Sequence, residues 1–89
     1  MLDMKLMLNS DIVLRNVGNK YWALDTKNGN QYKLNEVSFF ILNVFRKPKF
    51  FHETIEIVAK EYDVDIKRLY DDCNKVLQYA MEKEIIKEV

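Results

Sequence analysis

Glycine, cysteine and histidine are all scarce in this chain, and each scarcity excludes something. Two glycines in 89 residues leave no glycine-rich loop to cradle a phosphate. A single cysteine, Cys73, rules out a disulfide framework or a cysteine metal site within one chain, and it suits a reducing compartment. The only histidine, His52, precedes Glu53 but has no second imidazole at helical spacing, so no zinc-peptidase motif forms. An exposed place in the first turn of a helix is its simplest reading. Cys73 has no base near it in sequence, and Asp71-Asp72 lacks the further oxygen ligands a cation needs. No catalytic residue, no metal site and no cofactor are therefore expected. No run is long and apolar enough to span a membrane. The opening MLDMKLML carries Asp3 and lacks both a basic leading region and a cleavage site, which makes it a poor signal peptide. The chain is read as cytoplasmic, with no membrane partner.

What is present points to one folded unit. Hydrophobic residues make up 48% of the chain and aromatic residues 12%, enough for a core and too much for a disordered segment. The length fits a single domain over residues 1–89. Net charge is zero but unevenly spread: residues 1–49 sum to +4 and residues 50–89 to −4. There are no internal repeats and no low-complexity linkers.

The longest pattern runs from Asp65 to Ile85. Ile66, Leu69, Tyr70, Cys73, Val76, Leu77, Ala80 and Met81 recur at helical spacing, uninterrupted by glycine or proline. Asp65 caps this helix, and a helix of that length must form a wall of the core. Upstream, residues 1–9 read as loosely ordered, or as a short edge segment that docks late. Asp11 to Val17 alternates as a strand, with Ile12 and Leu14 on one face. Gly18-Asn19 is a tight turn, and Lys20 to Thr26 a second strand, with Trp22 and Leu24 facing one way and Tyr21 and Ala23 the other. Asn28-Gly29 closes a hairpin onto a third strand, Asn30 to Leu34. Asn35 caps a first helix over Glu36 to Arg46, whose expected buried stripe is Val37, Phe40, Ile41, Val44 and Phe45, widened by Phe39 and Leu42. Lys47-Pro48 ends it. A second helix runs from Phe51 to Tyr62, with Ile55, Val58, Ala59 and Tyr62 inward. Ile85-Ile86 folds back onto the core. The predicted class is α+β: a three-stranded antiparallel sheet followed by three helices, laid out like a winged helix-turn-helix.

That layout raises nucleic-acid binding, which the charges disfavour. The long helix would have to enter the major groove, yet it carries Lys67, Arg68, Lys75 and Lys83 against Asp65, Asp71, Asp72 and Glu82. Helix two is more acidic still, and Arg46, Lys47 and Lys49 are best read as a solvated loop. No nucleic-acid partner is expected, and a winged-helix DNA-binding regulator is the alternative. Peptide binding fits better. An outer strand of a meander keeps an open edge, which an extended peptide can complete; an edge kept short and polar only to avoid aggregation is the other reading, and the residues alone do not choose between them. A homodimer sealing that edge with its own copy is a third reading.

From Tyr32 to Val89 the chain resembles the PqqD-like family, typified by the peptide chaperone of pyrroloquinoline quinone biosynthesis. This is the precursor-peptide recognition element of ribosomally made, modified natural products. The resemblance rests on Tyr32-Lys33-Leu34-Asn35, on Ile55 and the run Ile57 to Asp65 with its Glu-Tyr-Asp-Val-Asp turn, on Asp72, and on Leu77 with Glu84-Ile85-Ile86. Departures are Lys47-Pro48-Lys49, where the family often has glycine, and Phe50, where it often has threonine. The resemblance implies a free-standing, non-catalytic peptide chaperone. It would bind the leader of a precursor peptide as an added antiparallel strand and present it to a modifying enzyme or a leader peptidase. The residues it implicates are Asn30, Gln31, Tyr32, Lys33 and Leu34 on the strand. On the long helix they are Arg68, Leu69, Asp72 and Val76, with Tyr70 and Asn74 on the opposite flank as the other choice. The surface for the enzyme would be the basic N-terminal half, or Phe50 and Phe51.

Overall fold

The structure is a computed structural model and describes residues 4–89. In chain order the elements are β1 (Lys5–Leu8), β2 (Ile12–Val17), β3 (Lys20–Asp25), β4 (Gln31–Leu34), α1 (Glu36–Val44), β5 (Lys49–Phe50), α2 (Phe51–Tyr62), α3 (Ile66–Glu82) and β6 (Ile86–Glu88). Strands β2, β3 and β4 form the expected antiparallel meander, and the three helices follow in the expected order.

Local chemistry sets the meander. Gly18 lies at φ +61 while Asn19 keeps a negative φ, the pattern of a type II′ turn, and Val17 pairs with Lys20 across it. The second hairpin is longer than a two-residue Asn-Gly turn. The Asp25 carboxylate accepts from the backbone N–H of Lys27 at 2.9 Å and of Asn28 at 3.3 Å, and Gly29 turns the chain at φ +79. An Asx turn from a nearly buried Asp25 thus shapes the loop ahead of β4.

The helices start where their caps are. Asn35 accepts from Ser38 N–H at 2.7 Å, and Asp65 from Lys67 N–H at 2.9 Å. Phe50 has no capping oxygen. Glu53 reaches back instead to accept from Phe50 N–H at 2.9 Å, half of a capping box. Between α2 and α3 the chain turns at Asp63, in the left-handed region at φ +43. Helix α3 ends in a Schellman motif: Ile85 N–H donates to Ala80 C=O at 2.7 Å and Glu84 N–H to Met81 C=O at 3.1 Å, with Glu84 at φ +59.

Several expectations need correction. The loose ordering expected of residues 1–9 fails from Met4 onward; residues 1–3 lie outside the described residues. Strand β1 is the centre of a second antiparallel sheet, between β5 and β6, and it buries Leu6 completely and Leu8 nearly so. Its partners are two and three residues long, so no alternation announces them. Helix α1 stops at Val44, two residues early. Val37 is exposed rather than part of the buried stripe, and Leu42 is fully buried, because α1 turns the face bearing Ile41, Leu42 and Phe45 into the core. Phe51 is buried and packs edge-on against Tyr70 at 5.2 Å, which removes it from any exposed docking surface. Helix α3 ends three residues short of Ile85, and its Ile66 and Tyr70 lie outside the core. The expected return of Ile85 and Ile86 onto the core is found. Among the described residues, no helix is long and apolar enough to cross a membrane.

Candidate functional site

Strand β4 pairs with β3 on one side only. Among the described residues nothing pairs its other edge. The ladder register decides which backbone groups lie on that edge. Asp25 N–H donates to Asn30 C=O at 2.8 Å, so the odd-numbered residues of β3 turn their hydrogen-bonding groups toward β4. Their partners Tyr32 (opposite Ala23) and Leu34 (opposite Tyr21) return those bonds. Gln31 and Lys33, in between, aim their N–H and C=O groups away from the sheet. Side chains alternate in step: Leu34 is buried and Tyr32 half-buried, while Gln31 and Lys33 are exposed.

Beyond this edge lies α3. One depression of about 310 Å³ lies between β4 and α3, floored by α1 and lined by Lys33, Leu34, Asn35, Ser38, Leu42, Lys75, Val76 and Tyr79. A second, of about 380 Å³, lies further toward the start of α3, among Val37, Tyr62, Val64, Asp65, Arg68, Leu69 and Asp72. Arg68, Asp72, Lys75, Val76 and Tyr79 follow steps of four, three, one and three, so one face of α3 borders both depressions. From Asp65 to Tyr79 this face is about 21 Å long at roughly 1.5 Å per residue, a span that about six residues of extended peptide would cover. Three exposed apolar side chains stand on the rim: Val37, Val64 and Tyr79, at 37%, 44% and 41% exposure. Burial, with Glu36 and Glu61 nearby, pushes the Tyr62 phenol above its ordinary value, so it stays neutral and able to donate.

The residues singled out from sequence divide into groups. Lys33, Leu34 and Val76 meet in the first depression, and Arg68, Leu69 and Asp72 in the second. Leu69 is only 3% exposed, a core side chain that shows the groove little more than its edge. Asn30, Gln31 and Tyr32 line neither depression. Asn30 lies before β4; its N–H donates to Asn28 Oδ1 at 2.8 Å and its amide to the Tyr32 hydroxyl at 3.3 Å. On the opposite flank of α3, Tyr70 lies with Ile66, Lys67 and Asp71, away from β4. The Oδ1 of Asn74 is buried without a hydrogen-bond partner among the described residues. Lys75, Tyr79, Val37 and Val64 were not expected at the groove: in the sequence Lys75 reads only as helix charge and Val37 as core. Lys75 and Tyr79 continue the Arg68–Asp72 face at i+7 and i+11, a usable signal. Val37 and Val64 gave none, since an apolar residue near a helix end reads as core. No cluster of histidine, cysteine or carboxylate side chains among the described residues is arranged to hold a metal ion.

The fold has structural counterparts. TbiB1 in complex with the TbiA(beta) leader peptide superposes with a TM-score of 0.78 at 20% identity, covering 91% of this chain and 94% of that one. A lasso peptide synthetase B1 complexed with the leader peptide gives 0.75 at 16%, covering 92% and 96%. The PqqD truncation of Methylobacterium extorquens PqqCD is described as a functional and stand-alone recognition element for ribosomally synthesised, modified peptides. It gives 0.77 at 18%, covering 93% and 88%. These likenesses establish a shared fold. No curated protein matches the chain significantly by sequence. The family profile for coenzyme PQQ synthesis protein D matches residues 12–86, from the start of the meander to β6, and the chain therefore belongs to the PqqD family.

Proposed function

We propose that this protein binds the leader segment of a ribosomally made precursor peptide as an added strand on β4. It presents that peptide to a modifying enzyme or a leader peptidase. One observation carries the reading: an unpaired strand edge faces an apolar groove whose far wall is α3, in a chain of the PqqD family. Two proteins of the same fold are complexed with leader peptides, which supports the same reading. The edge supplies main-chain affinity through Gln31 and Lys33, and the groove supplies side-chain selection through Leu34, Val76 and Tyr79. The protein does no chemistry and needs no cofactor. It works by raising the concentration of substrate at a partner enzyme. The winged-helix alternative gains nothing from the fold comparison, and α3 lacks the positive excess a reading helix needs. A homodimer through the same β4 edge is mutually exclusive with leader binding.

The test is calorimetric titration with the leader of a precursor peptide encoded beside this gene. Saturable one-to-one binding that Val76→Asp weakens at least tenfold is expected. Duplex DNA run in parallel should show no binding at moderate salt. Failure of the leader to bind, together with salt-sensitive DNA binding, would overturn the proposal.

A further inference from the structure

The edge and the groove also constrain the chemistry of the peptide; this inference rests on the leader-binding reading above. A strand laid on β4 alternates as β4 does. Its residues beside Tyr32 and Leu34 turn inward with them, over the apolar surface of Leu34, Val76 and Tyr79. The residue between them turns outward, beside Lys33. That outward position is flanked on its other side by α3, where Lys75 stands at the rim of the same depression. Both lysines are exposed, and no carboxylate is among the described residues lining this depression. The neighbouring depression differs, with Asp65 and Asp72 around Arg68. The two cations thus bracket one strand position, and only an anionic side chain complements both of them.

We infer that the groove selects a leader segment with an apolar–acidic–apolar alternation, the apolar pair seated over Leu34, Val76 and Tyr79 and the carboxylate held between Lys33 and Lys75. An opposite-charge cross-strand pair and an exposed ion pair are each modest, so the carboxylate adds about tenfold in affinity or less. Its larger effect is exclusion, because a leader with lysine at that position meets two like charges.

The experiment is selection from a random dodecapeptide library displayed on mRNA, against the wild type and against Lys33→Glu/Lys75→Glu. The wild type should enrich an Asp or Glu flanked by apolar residues. The reversed variant should enrich Lys or Arg at that position, with its fold verified by circular dichroism and thermal melting. Binding of the selected peptides should be lost in Lys33→Pro, which blocks the edge. Enrichment of apolar alternation with no charge preference would overturn this inference and leave leader binding standing, whereas selected peptides that bind Lys33→Pro undiminished would overturn both, since the proposed leader also pairs with the β4 edge. If the wild type enriches no peptide at all, both readings fall.

Discussion

Cys73 sits fully buried on the inner face of α3 beside the turns that carry Leu69, Leu77 and Ala80. Burial first, and the Asp72 charge second, pushes its thiol from an ordinary 9.0 up to about 11. The folded state therefore keeps the proton longer than the unfolded chain does. Stability is intact below pH 9 and falls as pH rises from about 9 to about 11, by an amount on the order of 2–3 kcal/mol. Urea titrations across that range should show the decline in the wild type, and Cys73→Ala, although less stable at neutral pH, should lack this component. Parallel pH profiles for the two proteins would refute it. Glu84 makes the opposite kind of prediction. It holds φ +59 at the position after the α3 cap, where a side chain is strained and glycine is not. Glu84→Gly should stabilise by about 1 kcal/mol, raising the melting temperature by roughly 4–8 °C. Its backbone role in the Schellman motif survives the change. A lower melting temperature would show that the Glu84 side chain holds something the backbone geometry does not require.

At the scale of the element, β4 offers two neighbouring positions that proline separates. The Lys33 N–H points away from β3 and the Tyr32 N–H into the β3 ladder, by the register that the Asp25–Asn30 bond sets. Proline is tolerated on the free side of an edge strand and not inside a ladder. Lys33→Pro should keep the fold and lose peptide binding by tenfold or more, whereas Tyr32→Pro should melt at a markedly lower temperature. Circular dichroism and calorimetry decide it, and equal folding losses in both variants would mean the register is wrong. The elements legible in the sequence were those with local causes. Asn35 and Asp65 announce their helices through side-chain caps, Gly18 and Gly29 announce turns, and alternation announces β2. Strand β1 was not legible, because Lys5–Leu8 is a strand only by virtue of Lys49–Phe50 and Ile86–Glu88, which are distant and too short to show a period. Half the groove was legible too. Arg68, Asp72 and Val76 are implicated by the family resemblance and lie on one element, but Val37 and Val64 border the second depression only once three helix ends have been packed together.

Across the whole molecule, β1 and the residues flanking it join the opposite ends of the three helices. Leu8 N–H donates to Phe45 C=O at the end of α1, Phe51 N–H at the start of α2 donates to Met4 C=O, and Asn9 N–H donates to Ile85 C=O just past α3. Val89 N–H closes the set on Lys5 C=O. The strand and its two flanking residues, Met4 and Asn9, thus tie all three helices on the side where β5 and β6 flank it, while β4 faces α3 across the open groove with no strand between. Opening the β1 ties would release every helix at once, so their amides should exchange only through global unfolding. The β4 edge should behave otherwise, since Gln31 and Lys33 amides have no partner in the ladder. Native-state hydrogen exchange should find Leu8, Asn9, Phe51 and Val89 protected to a similar free energy, with Gln31 and Lys33 among the fastest strand amides. Adding leader peptide should slow Gln31 and Lys33 by roughly a hundredfold at a hundred times the dissociation constant, the factor that mass action sets for a site that must be vacated before exchange. Amides of β2 on the far edge of the meander should change little. If peptide instead slows the β2 edge and leaves Gln31 and Lys33 fast, the bound strand lies on the wrong side of the sheet and α3 is not its second wall.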